Sequence, residues 1–292
     1  MNGILLLDKP AGLSSNAALQ RVRRLTGADK AGHVGSLDPL ATGMLPVCLD
    51  EATKVAGDII SAVKRYRFTV VLGSRTATGD LEGEVVETAP VPELAAATVS
   101  AVLQRFKGPQ LQVPPMYSAL KRDGQPLYRL ARAGLTVERP ARPIEIHDLE
   151  LHSIGVDRLD LSARCSKGTY IRVLAEDIAR HLGSCGHVVM LRRLYVEPFE
   201  DQPMLTLEQV EALCRDGRLP PLIAPDQALP GLPAVCLGPD EASRVQLGQR
   251  VPFPGCESRG RVRLYDASGA FLGLGEVDEG AVVRPRRLFR TL

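Results

Sequence analysis

The sequence lacks the features of a membrane, secreted or metal-clustered protein. None of its apolar runs approaches the roughly 20 residues that a membrane-spanning helix needs, and the apolar run at residues 4–7 is too short for a signal peptide. It has no tryptophan, and its six cysteines are scattered, with no CxxC pair at metal-binding spacing. We therefore expect a cytoplasmic protein with reduced thiols, no metal and no membrane association.

Net charge is also nearly absent. The 36 lysines and arginines exceed the 34 acids by only two, so the overall charge does not indicate a polyanionic partner. The distribution is uneven, however, because six basic residues stand against two acids between residues 121 and 142. Such a run is usually a solvated surface, but in a nearly neutral chain it also suits contact with a nucleic acid.

The 292 residues, 45% of them hydrophobic, provide enough apolar material for one large domain and a small one. A proline-rich stretch at residues 219–233 indicates either a linker or an irregular packed crossing. Beyond it, short alternating segments separated by glycine-containing turns predict a small β-rich module.

Hydrophobic periodicity predicts the main helices and strands. Ser14 or Ser15 should cap a helix that ends at Gly27. Residues 64–73 should form a strand in which four apolar side chains share one face: Tyr66, Phe68, Val70 and Leu72. Further predicted helices are 51–62, 92–106, 126–133, a helix capped by Thr169, and 206–215; further predicted strands are 4–7, 84–87, 144–151, 159–165, 187–196, 262–265, 271–276 and 282–284.

The most informative stretch is residues 32–46, which carries Asp38 directly before Pro39. Its glycines and prolines should keep it from forming helix or strand, and a residue before proline is held out of the right-handed helical region. An Asp-Pro pair usually starts a turn, with the carboxylate accepting from a backbone N–H two residues on. Here the apolar flanks indicate that the loop packs against a core, and a carboxylate beside apolar surface needs a partner.

Five blocks follow one another along the chain: GILLLDKPAG from residue 3, GHVGSLDP from residue 32, ATK from residue 52, KRY from residue 64 and CSKGTYIR from residue 165. In residues, order and approximate spacing they resemble the TruB family of tRNA pseudouridine-55 synthases. The resemblance runs from residue 3 to the C-terminus and is weakest beyond residue 200. Val34, Ser36 and Asp50 depart from the usual family pattern, in which a glycine stands at the last of these positions.

The resemblance implies a fold class and an activity. The fold class is α+β, with a mixed, mainly antiparallel central sheet and flanking helices in residues 1–230 and a small β-rich, PUA-like RNA-binding domain in residues 236–292. The activity is isomerisation of a specific uridine to pseudouridine in the T-loop of tRNA, at position 55, by base flipping and without a cofactor. Residues 114–142 correspond to a mobile insertion that clamps the RNA stem-loop, and the protein is expected to be a monomer.

The resemblance also implies roles for individual residues. Asp38 matches the catalytic aspartate, Tyr66 the tyrosine that stacks on the target base, and Arg172 the arginine paired with the aspartate. His33 matches a histidine that contacts the RNA and helps to hold the loop open, while Tyr170 and Leu191 match residues of the substrate pocket. Further predicted RNA contacts are Lys9, Lys54, Asp80, Lys121, Arg129, Arg132 and Arg142.

Physical chemistry makes these roles reasonable. A base inside a folded RNA must be extruded before an enzyme can act on its glycosidic bond, and an aromatic face can hold it. A guanidinium beside Asp38 would favour the ionised carboxylate. Taken singly, Tyr66 could instead be a core aromatic, Arg172 a solvated helix charge and His33 a turn residue.

Two other functions stay open at this point. The first is a non-catalytic RNA-binding or RNA-folding protein that uses the same basic surface. The second is a glycosidase-like hydrolase, which normally needs two carboxylates flanking the bond. The sequence offers no second acid in a loop as insulated as that of Asp38.

Overall fold

In the computed structural model, which describes residues 1–290, most strands belong to two sheets. In chain order the strands are β1 (Gly3–Lys9), β2 (Ala31–His33), β3 (Thr42–Leu49), β4 (Lys64–Leu72), β5 (Ser74–Thr76), β6 (Val85–Thr88), β7 (Gly108–Gln112), β8 (Lys121–Arg122), β9 (Gln125–Pro126), β10 (Arg142–Ile154), β11 (Arg158–Cys165), β12 (Gly186–Val196), β13 (Ala234–Cys236), β14 (Val251–Pro252), β15 (Gly260–Tyr265), β16 (Phe271–Val277) and β17 (Val282–Leu288). The helices are α1 (Ser15–Thr26), α2 (Ala56–Ile59), α3 (Ala96–Gln104), α4 (Leu127–Arg132), α5 (Ile171–His181), α6 (Leu207–Arg215) and α7 (Pro239–Gln246), with short 3-10 helices at Asp50–Val55 and Pro225–Ala228.

The larger sheet has eight strands in the order β1-β3-β12-β4-β11-β10-β7, and β2 also pairs with β3. Its pairs are antiparallel except for a short parallel contact between β12 and β3. This confirms the predicted α+β class with a mixed, mainly antiparallel central sheet. No helix within residues 1–290 is long and apolar enough to cross a membrane.

The two faces of this sheet differ in chemistry. The four predicted side chains of β4 lie on one buried face, which α1, α3, α5 and α6 cover with apolar side chains. This confirms the alternation predicted for residues 64–73. The intervening positions carry arginines paired with carboxylates from neighbouring strands, which we call the ion-paired face: Arg65–Glu150, Arg67–Asp160, Arg164–Glu197 and Arg192–Asp8, with N–O distances of 2.5 to 2.7 Å.

Helix α1 has the predicted boundaries. The Ser14 hydroxyl accepts a hydrogen bond from Ala17 N at 3.1 Å, and Gly27 closes the helix in the left-handed conformation, at φ 68°. The single α-helix predicted for residues 51–62 was wrong. The structure has a 3-10 helix followed by the four-residue α2, which contains Gly57, a weak helix former.

Two other helix starts also differ from prediction. Helix α3 begins at Ala96 rather than at residue 92, because the backbone of Ala95 is extended, at ψ 134°. Tyr170, not Thr169, is the residue that caps α5. The Thr169 hydroxyl instead donates to the Ser166 carbonyl at 3.0 Å, within the turn that precedes the helix.

The loop that carries Asp38 is shorter than predicted. Residues 34–41, which we call the Asp38 loop, lie between β2 and β3, whereas Gly43 and Pro46 belong to β3. The expectation that these two residues exclude a strand was wrong. Pro46 still contributes its carbonyl, which accepts from Val34 N at 2.9 Å and so joins the start of the loop to β3.

Asp50 occupies a left-handed backbone position, at φ 48°, which explains why a glycine is usual there. Its carboxylate accepts from Lys30 N at 2.9 Å and lies 3.1 Å from the amino group of Met1. Asp and Asn tolerate this backbone region better than most side chains, and these contacts hold the turn.

The smaller sheet has five strands in the order β13-β15-β16-β17-β14 and encloses its own apolar cluster. This confirms the β-rich C-terminal module. The proline-rich stretch is a packed crossing rather than a free linker, because Ile223 exchanges two backbone hydrogen bonds of 2.9 Å with Ile4 of β1. Phe271, Leu274 and Phe289 then pack into an apolar cluster shared with β1 and β3.

Candidate active site

Asp38 lies within a loop that is fastened from both sides. The N–H of Leu37 donates to the Ser15 hydroxyl at 2.7 Å, and the same hydroxyl donates to the Leu37 carbonyl at 2.9 Å. The Leu37 side chain is buried in the core beneath the helices. The residue before Asp38 is therefore fixed, which restricts where its carboxylate can point.

Lys9 fastens the same loop from below. Its side chain is fully buried, and its ammonium donates to the carbonyls of Pro10, Leu13 and Pro39 at 2.8, 2.7 and 3.3 Å. Burial lowers the pKa of Lys9 to about 8, while the nearby charge of Asp38 acts in the opposite direction. The prediction that Lys9 contacts RNA was wrong, because no part of the side chain reaches the surface.

The Asp38 carboxylate is bound by Arg172, the second residue of α5. Arg172 Nε lies 2.9 Å from Oδ2, and Nη2 donates to Oδ1 at 3.2 Å. Two contacts of this kind fix the plane of a carboxylate as well as its position. Within residues 1–290 this carboxylate has no backbone N–H donor, so it does not serve as the cap of an Asp-Pro turn.

Arg172 is a buried junction that joins Asp38 to two other segments. Its Nε lies 3.7 Å from Asp80 Oδ2, and its Nη1 donates to the Thr78 carbonyl. Its Nη2 donates to the Tyr117 carbonyl at 2.7 Å, in the stretch predicted as an insertion. Only 3% of the residue is exposed, so the explanation of Arg172 as a solvated helix charge does not apply.

Asp80 belongs to this junction rather than to the surface. It is 3% exposed, and its Oδ1 accepts from the Thr78 hydroxyl at 2.5 Å and from Glu82 N at 3.1 Å. The prediction of Asp80 as an RNA contact was therefore wrong, and so was the statement that no second acid lies in an insulated position. Because Asp80 is buried behind Arg172, it does not provide the accessible second carboxylate of a hydrolase.

The protonation of Asp38 reflects three opposing influences. Burial raises the pKa of the carboxyl above its usual value, Arg172 lowers it, and the charge of Asp80 raises it. Arg172 favours the ionised carboxylate, as expected, but the effect of burial on the pKa of Asp38 is larger than that of Arg172. About a third of the side chain, 35%, is still exposed, so the carboxylate is open to a ligand on one side.

The three residues predicted for the substrate pocket are Tyr66, Leu191 and Tyr170. Tyr66 on β4 and Leu191 on β12 are 8% and 6% exposed. Burial raises the pKa of both Tyr66 and Tyr170, and the negative charge of Asp38 makes a smaller contribution in the same direction. Tyr170 is held by Gln112 of β7, whose amide oxygen accepts from Tyr170 N at 2.8 Å.

His33 ends β2 at the entrance to the Asp38 loop. It is half-buried, and its Nδ1 has no hydrogen-bond partner within residues 1–290. Burial, together with the positive charge of Arg193, lowers the pKa of His33, so the ring is neutral at pH 7. The Nδ1 atom itself is buried, so it is not the part of the half-buried ring that faces a ligand.

Lys54, predicted as an RNA contact, lies beside the C-terminal module, with 32% of its side chain exposed. Its ammonium contacts Glu51 at 2.5 Å, donates to the Leu288 carbonyl at 2.6 Å and lies 5.6 Å from the centre of the Phe289 ring. Glu51 in turn accepts from Arg290 N at 2.8 Å. These contacts attach the C-terminal module to the 3-10 helix, so Lys54 is an inter-module contact.

The other predicted RNA contacts are accessible. Lys121, Arg129, Arg132 and Arg142 are all exposed, and none has an ion-pair partner within residues 1–290. They surround helix α4, and Arg132 lies 5.8 Å from the ring centre of Tyr128. A cavity of about 370 Å³ opens beside them, lined by Lys121, Arg122, Arg139 and Arg142 among other residues. Their contact with RNA stays a prediction.

Sequence reasoning missed Gln112, Tyr117, Lys64 and Arg193. The Gln112 side chain binds the backbone of Tyr170, and the Tyr117 carbonyl accepts from Arg172. Both contacts span long sequence separations, and no local pattern marks such partners. Lys64 and Arg193 are 5% and 1% exposed, although lysine and arginine are normally surface residues. Within the described residues, no three His, Cys, Asp or Glu side chains are grouped as a metal site.

The fold matches known structures. A chain from the crystal structure of a Cbf5-Nop10-Gar1 complex superposes with a TM-score of 0.73 at 25% identity, covering 99% of this chain and 85% of that one. A chain of an H/ACA RNP bound to a substrate RNA containing 2'-deoxyuridine gives a TM-score of 0.74 at 23% identity, covering 99% of this chain and 85% of that one. The second match supports the fold alone.

The sequence matches family models along most of its length. The TruB family pseudouridylate synthase N-terminal domain matches residues 23–171, the tRNA pseudouridylate synthase B C-terminal domain matches residues 172–229, and the C-terminal domain of pseudouridine synthase II TruB matches residues 233–289. A tRNA pseudouridine synthase B of Nitrosococcus oceani is 50% identical, covering 99% of this chain and 94% of that protein. A relative of the same name from Stutzerimonas stutzeri is 49% identical, covering 100% and 96%.

Together, the fold, the arginine-paired aspartate and these matches define a pseudouridine synthase, which is an isomerase. The chain belongs to the TruB family of pseudouridylate synthases.

Proposed function

We propose that this protein converts the uridine at position 55, in the T-loop of tRNA, to pseudouridine. Relatives at 49 to 50% identity over the whole chain carry the name tRNA pseudouridine synthase B, which supports the tRNA substrate. The observation that carries the proposal is the Asp38 carboxylate, held by two contacts to buried Arg172 while 35% of its side chain stays open.

The reaction needs a flipped base and an enclosed pocket. The uridine leaves the RNA fold and stacks on Tyr66, beside Leu191 and Tyr170, at an extrusion cost of a few kcal/mol. Asp38, as a carboxylate anion, assists cleavage of the bond between C1′ and N1. Holding the detached uracil away from water allows it to rotate and rejoin rather than diffuse away.

The isomerisation conserves all atoms of the nucleotide except for an exchanged proton, and it needs no redox cofactor. The bond between C1′ and N1 breaks, a bond between C1′ and C5 forms, C5 loses its proton to solvent and N1 gains one. Arg172 holds Asp38 in its reactive direction, and Lys9 and Ser15 hold the backbone that carries it. Asp80 keeps Arg172 in place from the opposite side.

The remaining assignments follow the same proposal. His33, which is half-buried at the entrance to the Asp38 loop, contacts the RNA there. Residues 114–142 clamp the T-stem-loop, and the PUA-like module at residues 236–292 gives additional RNA contact. We expect the enzyme to act as a monomer in the cytoplasm.

The direct test uses a T-arm stem-loop that carries tritium at C5 of its uridines. We expect one tritium released per RNA, and none from an RNA in which uridine 55 is replaced by cytidine. Release of free uracil would instead identify a hydrolase. Tight RNA binding without tritium release would identify a non-catalytic RNA-binding protein, and either outcome would overturn the proposal.

A second expectation concerns the salt dependence of binding. The double variant Arg129→Ala/Arg132→Ala removes two exposed cations of α4 that lack carboxylate partners, so it should lose two phosphate contacts. Each contact contributes about 0.7 to 0.9 to the slope of log K against log salt, so the slope should become shallower by about 1.5. Filter binding at several salt concentrations measures it.

The matched control is Arg215→Ala/Arg218→Ala, which removes two exposed arginines at the same spacing. These two arginines are paired with Glu211 and Asp216 on a different surface. The control should leave the slope unchanged. An equal change in both variants would mean that the insertion attracts RNA no more than any other cationic surface.

A further inference from the structure

Arg193 is the largest fully buried side chain in the protein, at 1% exposure. It has no carboxylate partner within residues 1–290. Its guanidinium donates to backbone carbonyls, and it also makes a side-chain contact with the Tyr66 phenol, whose pKa it acts to lower against the effect of burial. Burying a guanidinium without a counter-charge is costly, and an apolar residue in the same place would often stabilise a sheet better. A residue retained at such a position therefore calls for an explanation beyond packing.

The carbonyls that accept from Arg193 lie at both ends of the Asp38 loop. Nε donates to the Met44 carbonyl in β3, just beyond the loop, at 2.7 Å. Nη2 donates to the carbonyls of Val34 and Gly35, at the start of the loop, at 3.4 and 2.9 Å. One guanidinium thus ties the two ends of the loop together.

The backbone of Arg193 is tied to the same place. Arg193 pairs with Gly43 in the short parallel contact between β12 and β3. Gly43 has φ 98°, and a Cβ on it would lie 2.1 Å from the Arg193 carbonyl oxygen, so only glycine fits. Side chain and main chain of one residue therefore fix the far end of the loop.

Only arginine has the geometry for this task. Its planar fork presents five donors in fixed directions, whereas lysine presents three donors from a single point. Two other buried cations interact with its charge, Lys9 and Lys64, and both donate to backbone carbonyls and add no negative charge. Burial lowers the pKa of each lysine to about 8, and the positive charge of Arg193 acts in the same direction.

We propose that Arg193 is a positioning residue for the isomerisation, which holds both ends of the Asp38 loop so that Asp38 is aimed at the flipped uridine. This rests on the proposed function. Arg193 acts through the backbone of residues 34–44 and not by touching the substrate. Its loss should therefore slow the chemical step and leave RNA affinity nearly unchanged.

The test compares Arg193→Gln and Arg193→Lys with the unaltered enzyme. A displacement of about 1 Å in a reacting group can cost about 100-fold in rate, so we expect a single-turnover rate about 100-fold lower for Arg193→Gln. Arg193→Lys, which keeps the charge and can bind one end of the loop, should recover about tenfold of this loss. The Kd for RNA should change by less than about threefold in both variants.

Arg192→Gln is the matched control. It removes the adjacent arginine of the same strand, which lies on the ion-paired face and binds Asp8 at 2.7 Å. Its single-turnover rate should equal that of the unaltered enzyme within about threefold, because an exposed ion pair contributes little. A loss as large as that of Arg193→Gln would show that any cation of β12 has this effect, and would overturn the proposal.

Hydrogen exchange separates positioning from general stability. In Arg193→Lys, amide exchange should rise in the peptides that cover residues 31–44 and stay unchanged in β4 and β11. Faster exchange throughout the sheet, an unchanged rate of reaction, or a loss confined to RNA affinity would overturn the proposal. If Arg193→Gln does not fold, the lysine variant alone decides.

The exchange measurement also separates this proposal from the proposed function. If the unaltered protein releases no tritium from tRNA, the proposed function fails. If it releases tritium while residues 31–44 exchange identically in Arg193→Lys and the unaltered enzyme, only the role of Arg193 fails.

Discussion

Asp38→Asn should abolish pseudouridine formation and leave RNA binding nearly intact. The amide keeps the size of the carboxylate but carries no charge, so it neither assists cleavage of the glycosidic bond nor pairs with Arg172 as an anion. Replacing one essential group of a catalytic constellation typically costs about 10⁴-fold or more in rate. Tritium release from C5-labelled tRNA under single-turnover conditions measures this loss.

The binding measurement makes the result specific. Because Asp38 is one residue of the large surface that we propose contacts RNA, the Kd of Asp38→Asn should stay within a few-fold of the unaltered value. Asp160→Asn is a suitable control, since it neutralises an acid on the ion-paired face that binds Arg67. Full activity in Asp38→Asn would remove the carboxylate from the mechanism.

Arg172→Lys should produce the second-largest loss. The lysine keeps a positive charge but not the fork that reaches Asp38, Asp80 and the backbone carbonyls together. Losing one positioned donor of this type costs about 10²- to 10³-fold in rate. Losing the two positioned contacts also weakens the influence that lowers the pKa of Asp38.

The pH dependence tests that electrostatic link. Since Asp38 must be ionised, activity should fall as the pH drops through its pKa, which burial places above the usual aspartate value. Arg172→Lys should raise this pKa and move the acid limb of the rate profile to higher pH. Asp80→Asn removes a neighbouring negative charge and should move the same limb to lower pH.

Structural damage gives no reason for the acid limb to move in opposite directions in these two variants. Opposite shifts would therefore support the electrostatic explanation. Glu150→Gln, on the ion-paired face, is the control and should leave the limb in place. If the limb stays fixed in all variants, a group other than Asp38 controls the acid side of the profile.

The features predicted correctly are those with a short-range physical signal. The cap at Ser14 and the glycine that ends α1 are local rules, as is the alternation of β4. The pairing of Asp38 with Arg172 spans 134 positions and came from the family resemblance, not from any pattern in the chain.

The errors have a common physical cause. Lys9 and Asp80 were predicted as RNA contacts, which requires them to lie at the surface, where charged residues are normally found. In the fold, Lys9 and Asp80 are buried because carbonyls or Arg172 satisfy them, and Lys54 faces the C-terminal module. These hydrogen-bond and ion-pair partners are brought together only by folding, so composition and spacing do not reveal them.

The ion-paired face gives this nearly neutral protein a directional electric field. Each arginine there has its counter-charge within 2.7 Å, so the pair acts as a short dipole whose potential fades quickly with distance. The exposed cations around α4 lack such compensation, and their potential reaches to about a Debye length, roughly 8 Å at physiological salt. The cations around α4 therefore attract an approaching polyanion from farther away than the paired arginines do, although the net charge is only +2.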